Sequence, residues 1–250
     1  MAFKDHFSGH AAAYARARPT YPDALFDWLS AQCAGHALAW DAGCGNGQAS
    51  LALAARFDRV HASDPSATQI AAAPADARVA WHVEPAEQCS LPDAAADLVT
   101  VAQAYHWFDH ARFCAEAARV LRPGGVIAVW SYGASSVSPA VDAAVAPLYD
   151  GVLGPHWPPE RAHVENGYRD LPFPFAAIDA PAFTMACDWT LDSYLAYLAS
   201  WSASRRHLAA TGVDAVDAAT PRIAAAWDGR DTVRTVRWPL AIRVGRHASG

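Results

Sequence analysis

Between an apolar run and a helical pattern stands Asp41-Ala42-Gly43-Cys44-Gly45-Asn46-Gly47-Gln48, with glycine at alternate positions. No other feature of the chain restricts its fold as much. Glycine accepts positive φ and carries no Cβ, so a strand can turn sharply here and a ligand can approach the backbone. The N–H groups that open the following helix then stay available to polar ligand groups. A strand, a glycine turn and a helix make the first step of an open, doubly wound sheet.

The rest of residues 36–132 repeats that alternation. Apolar runs at His36–Asp41, Arg59–Ala62, Val79–Val83, Asp97–Ala102 and Gly125–Tyr132 read as parallel strands, because continuous apolarity suits strands covered on both faces. Helical patterns precede and separate them at Pro22–Cys33, Gln48–Arg56, Ser66–Ala73 and Ala111–Leu121, the last halted by Pro123-Gly124-Gly125. From Ser135 to Phe175 prolines and mixed polarity predict a loop-rich insertion or lid. Beyond it the pattern predicts a strand at Ala182–Trp189, helical segments at Leu191–Arg206 and Val213–Trp227, and a final strand at Thr232–Val244. The expected fold class is α/β: a Rossmann-like, doubly wound, mostly parallel sheet with an antiparallel last strand and helical cap additions.

Composition narrows the functional classes. In 250 residues, 53% hydrophobic with ten Trp, a sizeable core can form, and a single domain over 1–250 is expected. A net charge of -6 without a Lys/Arg run argues against nucleic acid as a partner. Lys4 is the only lysine, so neither a P-loop nor a pyridoxal Schiff base has its required residue in a suitable place. The five cysteines form no C-x-x-C or Cys/His ligand spacing, which predicts no disulfide framework and no metal. Without a signal-like h-region or a membrane-length apolar run, a soluble cytoplasmic protein is expected.

Two carboxylates refine the ligand. Asp64, at the end of the second strand, can accept from both hydroxyls of a ribose, although Asp64-Pro65-Ser66 also makes a good helix start. Asp41 adds negative charge where a dinucleotide would bring its pyrophosphate, and Gln48 occupies the third glycine position of G-x-G-x-x-G. A cationic adenosyl ligand without phosphate suits the loop better.

At this point the chain resembles the class I S-adenosylmethionine-dependent methyltransferases. The likeness continues through Glu84-Pro85-Ala86-Glu87, Leu91-Pro92, Asp97-Leu98-Val99 and Arg122-Pro123-Gly124-Gly125 in the family's order. Tyr14 to Pro22, Ala104-Tyr105-His106-Trp107-Phe108-Asp109 and Trp238 to Arg246 resemble the trans-aconitate methyltransferase-like group of small-molecule enzymes. The resemblance implies a cofactor-binding core over about 34–133, an insertion and cap over about 134–230 and a last strand over about 231–245. It implies S-adenosylmethionine as cofactor, S-adenosylhomocysteine as product and a small organic acceptor, first a carboxylate, second a hydroxyl or nitrogen.

The same resemblance assigns roles. Gly43 and Gly45 would line the methionine and ribose side, Asp41 would lie near the amino group and Asp64 would hold the ribose hydroxyls. Pro65 would pack on the adenine or ribose, Ala86 and Glu87 would border the adenine, and Gln103 would offer its backbone carbonyl to the amino group. Tyr14, Arg16 and Arg18 would form a flap over the cofactor, though a segment packed on the domain surface would use the same residues. His106 and Trp107 face the expected reaction site, with His106 either a general base or a hydrogen-bonded wall. Trp157, Trp189, Trp201, Trp227 and Trp238 are candidates for an apolar acceptor pocket or for core, and Arg205 or Arg206 for binding an acidic acceptor. A nicotinamide-dependent oxidoreductase and a non-catalytic adenosyl-binding protein are the competing classes.

Overall fold

The eight strands of the computed structural model, which describes residues 19–248, are β1 (Leu38–Ala42), β2 (Arg59–Ser63), β3 (Val79–His82), β4 (Ala96–Ala102), β5 (Leu121–Tyr132), β6 (Ala176–Ile178), β7 (Thr184–Trp189) and β8 (Arg234–Arg246). They form one sheet in the order β3-β2-β1-β4-β5-β8-β6, with β7 paired to β8. β1 to β5 run parallel, and β8 is antiparallel to β5, β6 and β7. The strand order reverses between β1 and β4, and open α/β sheets bind ligands at such a switch point.

Helices α1 (Asp23–Gln32), α2 (Gln48–Ala54), α3 (Ala67–Ala71) and α4 (His110–Val120) flank the parallel strands. Leu25, Phe26 and Leu29 of α1 and Leu53 of α2 pack with Val60, Leu98 and Trp130 on one face. Phe113, Ala117 and Val120 of α4, one stripe at helical spacing, pack with Trp40, Val99 and Ile127 on the other. Asp109 opens α4 by accepting from Arg112 N at 3.3 Å.

Asp97 ties the strands at the end of the sheet opposite the glycine turn. Its buried carboxylate accepts from Ala37 N at 2.8 Å and Leu38 N at 3.0 Å through Oδ2, and from Arg122 Nη1 at 2.6 Å through Oδ1. One side chain therefore joins the start of β1, β4 and the start of β5.

The structure corrects several sequence expectations. α4 passes directly into β5 at Leu121, so Pro123-Gly124-Gly125 lies inside a strand instead of ahead of it. The β4–β5 register slips between Ala96 and Leu98, and Gly124 takes a φ of 76° there. The supposed loop-rich insertion holds α5 (Pro139–Ala146), a π-helical turn (Pro147–Val152), a 3-10 turn (Gly154–His156) and α6 (Arg161–Glu165). Prolines misled that reading because Pro139 sits in the first turn of α5, where its missing N–H removes no hydrogen bond, behind the Ser138 cap. The segment expected at Leu191–Arg206 is two helices, α7 (Leu191–Ala199) and α8 (Ser202–Thr211), followed by α9 (Ala215–Trp227). β6 had no sequence signal, being three residues long and largely exposed.

Asp97→Ala should leave the native circular dichroism spectrum in place and lower the unfolding free energy by about 3 kcal/mol, since two backbone donors and a guanidinium lose their acceptor. The denaturant midpoint measures it, and an unchanged midpoint would dismiss the tie.

Candidate active site

The glycine turn and the segment after β4 meet at the switch point. Gly43, Gly45 and Gly47 all have positive φ, at 68°, 56° and 90°. A Cβ on Gly43 would lie 2.7 Å from Ala104 Cβ and 2.9 Å from the Phe108 ring; one on Gly47 would lie 2.1 Å from Trp81. Among the described residues, a Cβ on Gly45 would meet nothing within 4 Å. Two glycines are thus closed over by protein, and the one between them has no described side chain or backbone pressed against it.

Asp64 stands beside Gly45. Its Oδ2 accepts from Gly45 N at 2.9 Å and its Oδ1 from Ser66 N at 2.8 Å. The cap of α3 is Ser66, whose Oγ accepts from Gln69 N, so the carboxylate is not consumed as a helix cap. Pro65 is half-buried beside it. Beyond β3, Ala86 is buried in the apolar layer, and Glu87 Oε1 accepts from Asp109 N at 2.8 Å, which ties this loop to α4.

Asp41 takes a different place from the one expected. It is fully buried, accepting from Ser50 Oγ at 2.6 Å and Thr100 Oγ1 at 2.9 Å, so it presents no surface for a methionine amino group to touch. Burial raises its pKa to about 6, against the lowering effect of the two hydroxyls. Asp41 supports the turn from beneath by joining β1, α2 and β4.

Gln103 occupies the left-handed region, with a φ of 57°. Its side chain clasps Tyr132, donating from Nε2 to Tyr132 O at 3.1 Å and accepting at Oε1 from Tyr132 N at 2.8 Å. That clasp holds a strained backbone at the end of β4, where the carbonyl was expected to serve a ligand. His106 and Trp107 follow on a 3-10 turn (Tyr105–Trp107), their rings 4.6 Å apart. His106 Nδ1 lies 2.9 Å from the hydroxyl of the fully buried Tyr168. Burial, and then the charges of Arg161 and His163, lower the pKa of His106 to about 3.

Tyr168 and Arg161 were not legible as site residues. The available signal was Asn166-Gly167-Tyr168, a turn in which Gly167 and Tyr168 take φ of 62° and 61°. Arg161 donates to Tyr149 Oη from Nε and Nη2, lies 4.7 Å over the Trp157 ring, and pairs with Glu165 at 3.5 Å. Trp157 and Trp201 are half-buried and adjoin Tyr149, whereas Trp227 and Trp238 are fully buried core and Trp189 packs on Trp238. Arg205 and Arg206 lie half-buried on α8. Tyr14, Arg16 and Arg18 lie outside the described residues. Pro19, the first described residue, accepts from Gln48 Nε2 at 3.0 Å beside the glycine turn.

This is an α/β fold whose strand order reverses beside the glycine turn, and Gly45 with the Asp64 carboxylate next to it has the chemistry an adenosyl ligand would use. The comparisons give the family. The profile of a methyltransferase domain family matches residues 40–129. A protein of Dictyostelium discoideum named as a methyltransferase is 33% identical over 204 residues, covering 80% of this chain and 78% of that one. The solved structure of a protein from Anaeromyxobacter dehalogenans, described as a type II methyltransferase, superposes with a TM-score of 0.89 at 48% identity, covering 93% of this chain and 99% of that one. A malonyl-[acyl-carrier protein] O-methyltransferase of Dechloromonas aromatica is 39% identical over 135 residues, covering 48% of this chain and 49% of that one. The chain belongs to the class I S-adenosylmethionine-dependent methyltransferases, and S-adenosylmethionine is its cofactor.

Gly45→Ala tests the site directly. The left-handed backbone costs about 1–2 kcal/mol with a Cβ, so the variant should fold and yet bind S-adenosylhomocysteine at least tenfold more weakly in calorimetry. Undiminished affinity would move the cofactor elsewhere. Asp41 makes a separate prediction. Between pH 3.8 and about 6 the folded chain keeps a proton that the unfolded chain has lost, so Asp41's contribution to stability declines as pH rises through that window. Asp41→Asn should remove this decline, and melting temperatures of both proteins across the window will show whether their difference changes.

Proposed function

We propose that the enzyme methylates the oxygen of a small carboxylic acid, as the trans-aconitate methyltransferase-like resemblance implies. The observation that carries this reading is the setting of His106, half-buried with its Nδ1 2.9 Å from the Tyr168 hydroxyl. A base with a pKa lowered to about 3 is a poor acceptor for the proton of a hydroxyl or ammonium group. A carboxylate is ionised at neutral pH and brings its own nucleophilic oxygen. The nearby positive charge of Arg161 favours an anion at this place, and the Dechloromonas relative is by name an O-methyltransferase.

S-adenosylmethionine supplies a methyl group on a positively charged sulfur, already activated toward nucleophilic displacement. The chain's own residues then have to align the acceptor oxygen and exclude water. Asp64, Pro65 and the turn at Gly43–Gly47 hold the adenosyl side. Gln103, locked by Tyr132, offers a fixed carbonyl, and Ala86 with Glu87 forms the adenine border. Neutral His106, with Nδ1 engaged by Tyr168, and Trp107 form the wall against which the acceptor rests, and Arg161 orients its carboxylate. Trp157 and Trp201 give this side its apolar surface.

A screen of small mono-, di- and tricarboxylic acids with the full chain should yield a methyl ester, recognised by release of methanol on mild alkaline hydrolysis. A methylated product that survives alkali would turn the assignment to an ether or an amine. The profile of kcat/KM should be level from neutral to alkaline pH and fall only below about pH 5, as the acceptor carboxyl gains its proton. His106→Gln should keep that shape, while Arg161→Met should raise KM more than it lowers kcat. A rate that climbs through neutral pH in wild type and loses that climb in His106→Gln would restore His106 as the base.

A further inference from the structure

We propose that His61, Glu84 and Cys89 form a binding site for one soft divalent cation of the zinc class, apart from the adenosyl and acceptor sites. Each offers a ligand atom, and the three atoms lie within 4.8 Å of one another. His61 Nε2 is 2.5 Å from Glu84 Oε1 and 3.6 Å from Cys89 Sγ. Half-buried Glu84 and buried Cys89 line a surface depression with Val83, Pro85, Gln88 and Ser90, and the buried His61 adjoins them both. A buried imidazole and thiol therefore adjoin a carboxylate with an entry path from solvent.

The spacing suits tetrahedral coordination. Zinc bonds of about 2.0 Å to nitrogen and about 2.3 Å to sulfur place those two ligands about 3.5 Å apart. The His61–Cys89 separation already matches. Glu84 sits too close to His61 and has to withdraw by roughly 0.8 Å to reach a zinc–oxygen geometry, and the exposed loop that carries it can yield.

The surroundings hold the donors in place. His82 stacks on His61 with ring centroids 3.9 Å apart, which fixes the imidazole plane. Cys89 is held on both sides of its backbone, donating from N to Glu116 Oε1 at 2.6 Å and accepting at O from Arg119 Nη2 at 3.1 Å. Such outer contacts orient ligands in metal sites generally. The motif escapes a search for local ligand spacing because His61 comes from β2, while Glu84 and Cys89 come from the loop after β3.

On binding, the sulfur–metal bond replaces the Cys89 S–H bond and the thiol proton passes to water. His61 binds through Nε2 as its Nδ1–H tautomer, and no group changes oxidation state. Three protein ligands leave a fourth position for water or an outside donor. The ion would tie β2 to the loop that contains Ala86 and Glu87, the proposed adenine border.

The test is titration of the untagged full chain with cobalt(II), read by absorption, and with zinc, read by calorimetry. One equivalent should saturate each titration, with a thiolate-to-cobalt charge-transfer band that disappears in Cys89→Ser while S-adenosylhomocysteine binding persists. Should Cys89→Ser fail to fold, zinc should slow alkylation of Cys89 in wild type at least tenfold by peptide mass spectrometry, and His61→Gln should abolish that protection. Absence of saturable binding, or a band unchanged in Cys89→Ser, overturns the proposal, and so does alkylation at the same rate with and without zinc.

Discussion

The backbone at Gly43–Gly47 lies against Ala104, Phe108 and Trp81 at distances that no side chain would permit, and the site follows from that approach. The turn is pressed onto the segment after β4 at Gly43 and onto Trp81 at Gly47, while among the described residues nothing is pressed onto Gly45. Asp41 makes this arrangement rigid. Its carboxylate, fully buried beneath the turn, binds one hydroxyl from α2 and one from β4, so the glycines rest on a support tied to three elements. A buried carboxylate costs solvation, and the two hydroxyl donors offset part of that cost while fixing the position of the turn.

The electrostatics of the two sides of the site differ. On the adenosyl side Asp64 brings negative charge beside Gly45, in keeping with a cationic cofactor and its ribose hydroxyls. Near His106 stands the Arg161 guanidinium, paired with Glu165, and burial removes the imidazole's own charge at any ordinary pH. In the proposed reaction the cationic donor meets Asp64 and the carboxylate acceptor meets Arg161, and such fixed charges act without reorganising during the reaction.

Most of the parallel sheet was legible because each strand is continuously apolar and each helix begins after a turn residue with a physical reason to be there. The places of Asp64, Gly43, Gly45 and Gln103 in the fold were legible for the same reason: they sit at strand ends, where sequence position fixes spatial position. Legibility ended where position depends on tertiary contact. Asp41 reads as a ligand group in sequence, and only the packing of Ser50 and Thr100 against it shows that it belongs to the scaffold. Tyr168 and Arg161 reach His106 from a segment whose prolines suggested loop, and no local pattern links residue 168 to residue 106. The same separation hides His61 from Cys89. The five Trp taken together as pocket candidates divide by burial, which composition does not report.

β8 has thirteen residues and three partners: from Arg234 to Pro239 it pairs with β7, from Leu240 to Arg246 with β5, and from Val244 to Arg246 also with β6. One unbroken strand thus pairs with the parallel sheet at one end and with β7, three helices earlier in the chain, at the other. Between Tyr132 and Leu240, themselves paired across the sheet, lie α5 to α9, β6 and β7. The two crossing points are neighbours in space although more than a hundred residues separate them in sequence. The cap and the parallel strands are therefore not separable bodies: Leu25, Leu98 and Trp130 share one buried cluster with Val141, Phe183 and Trp238, so repacking the cap is felt at the strands that carry the glycine turn.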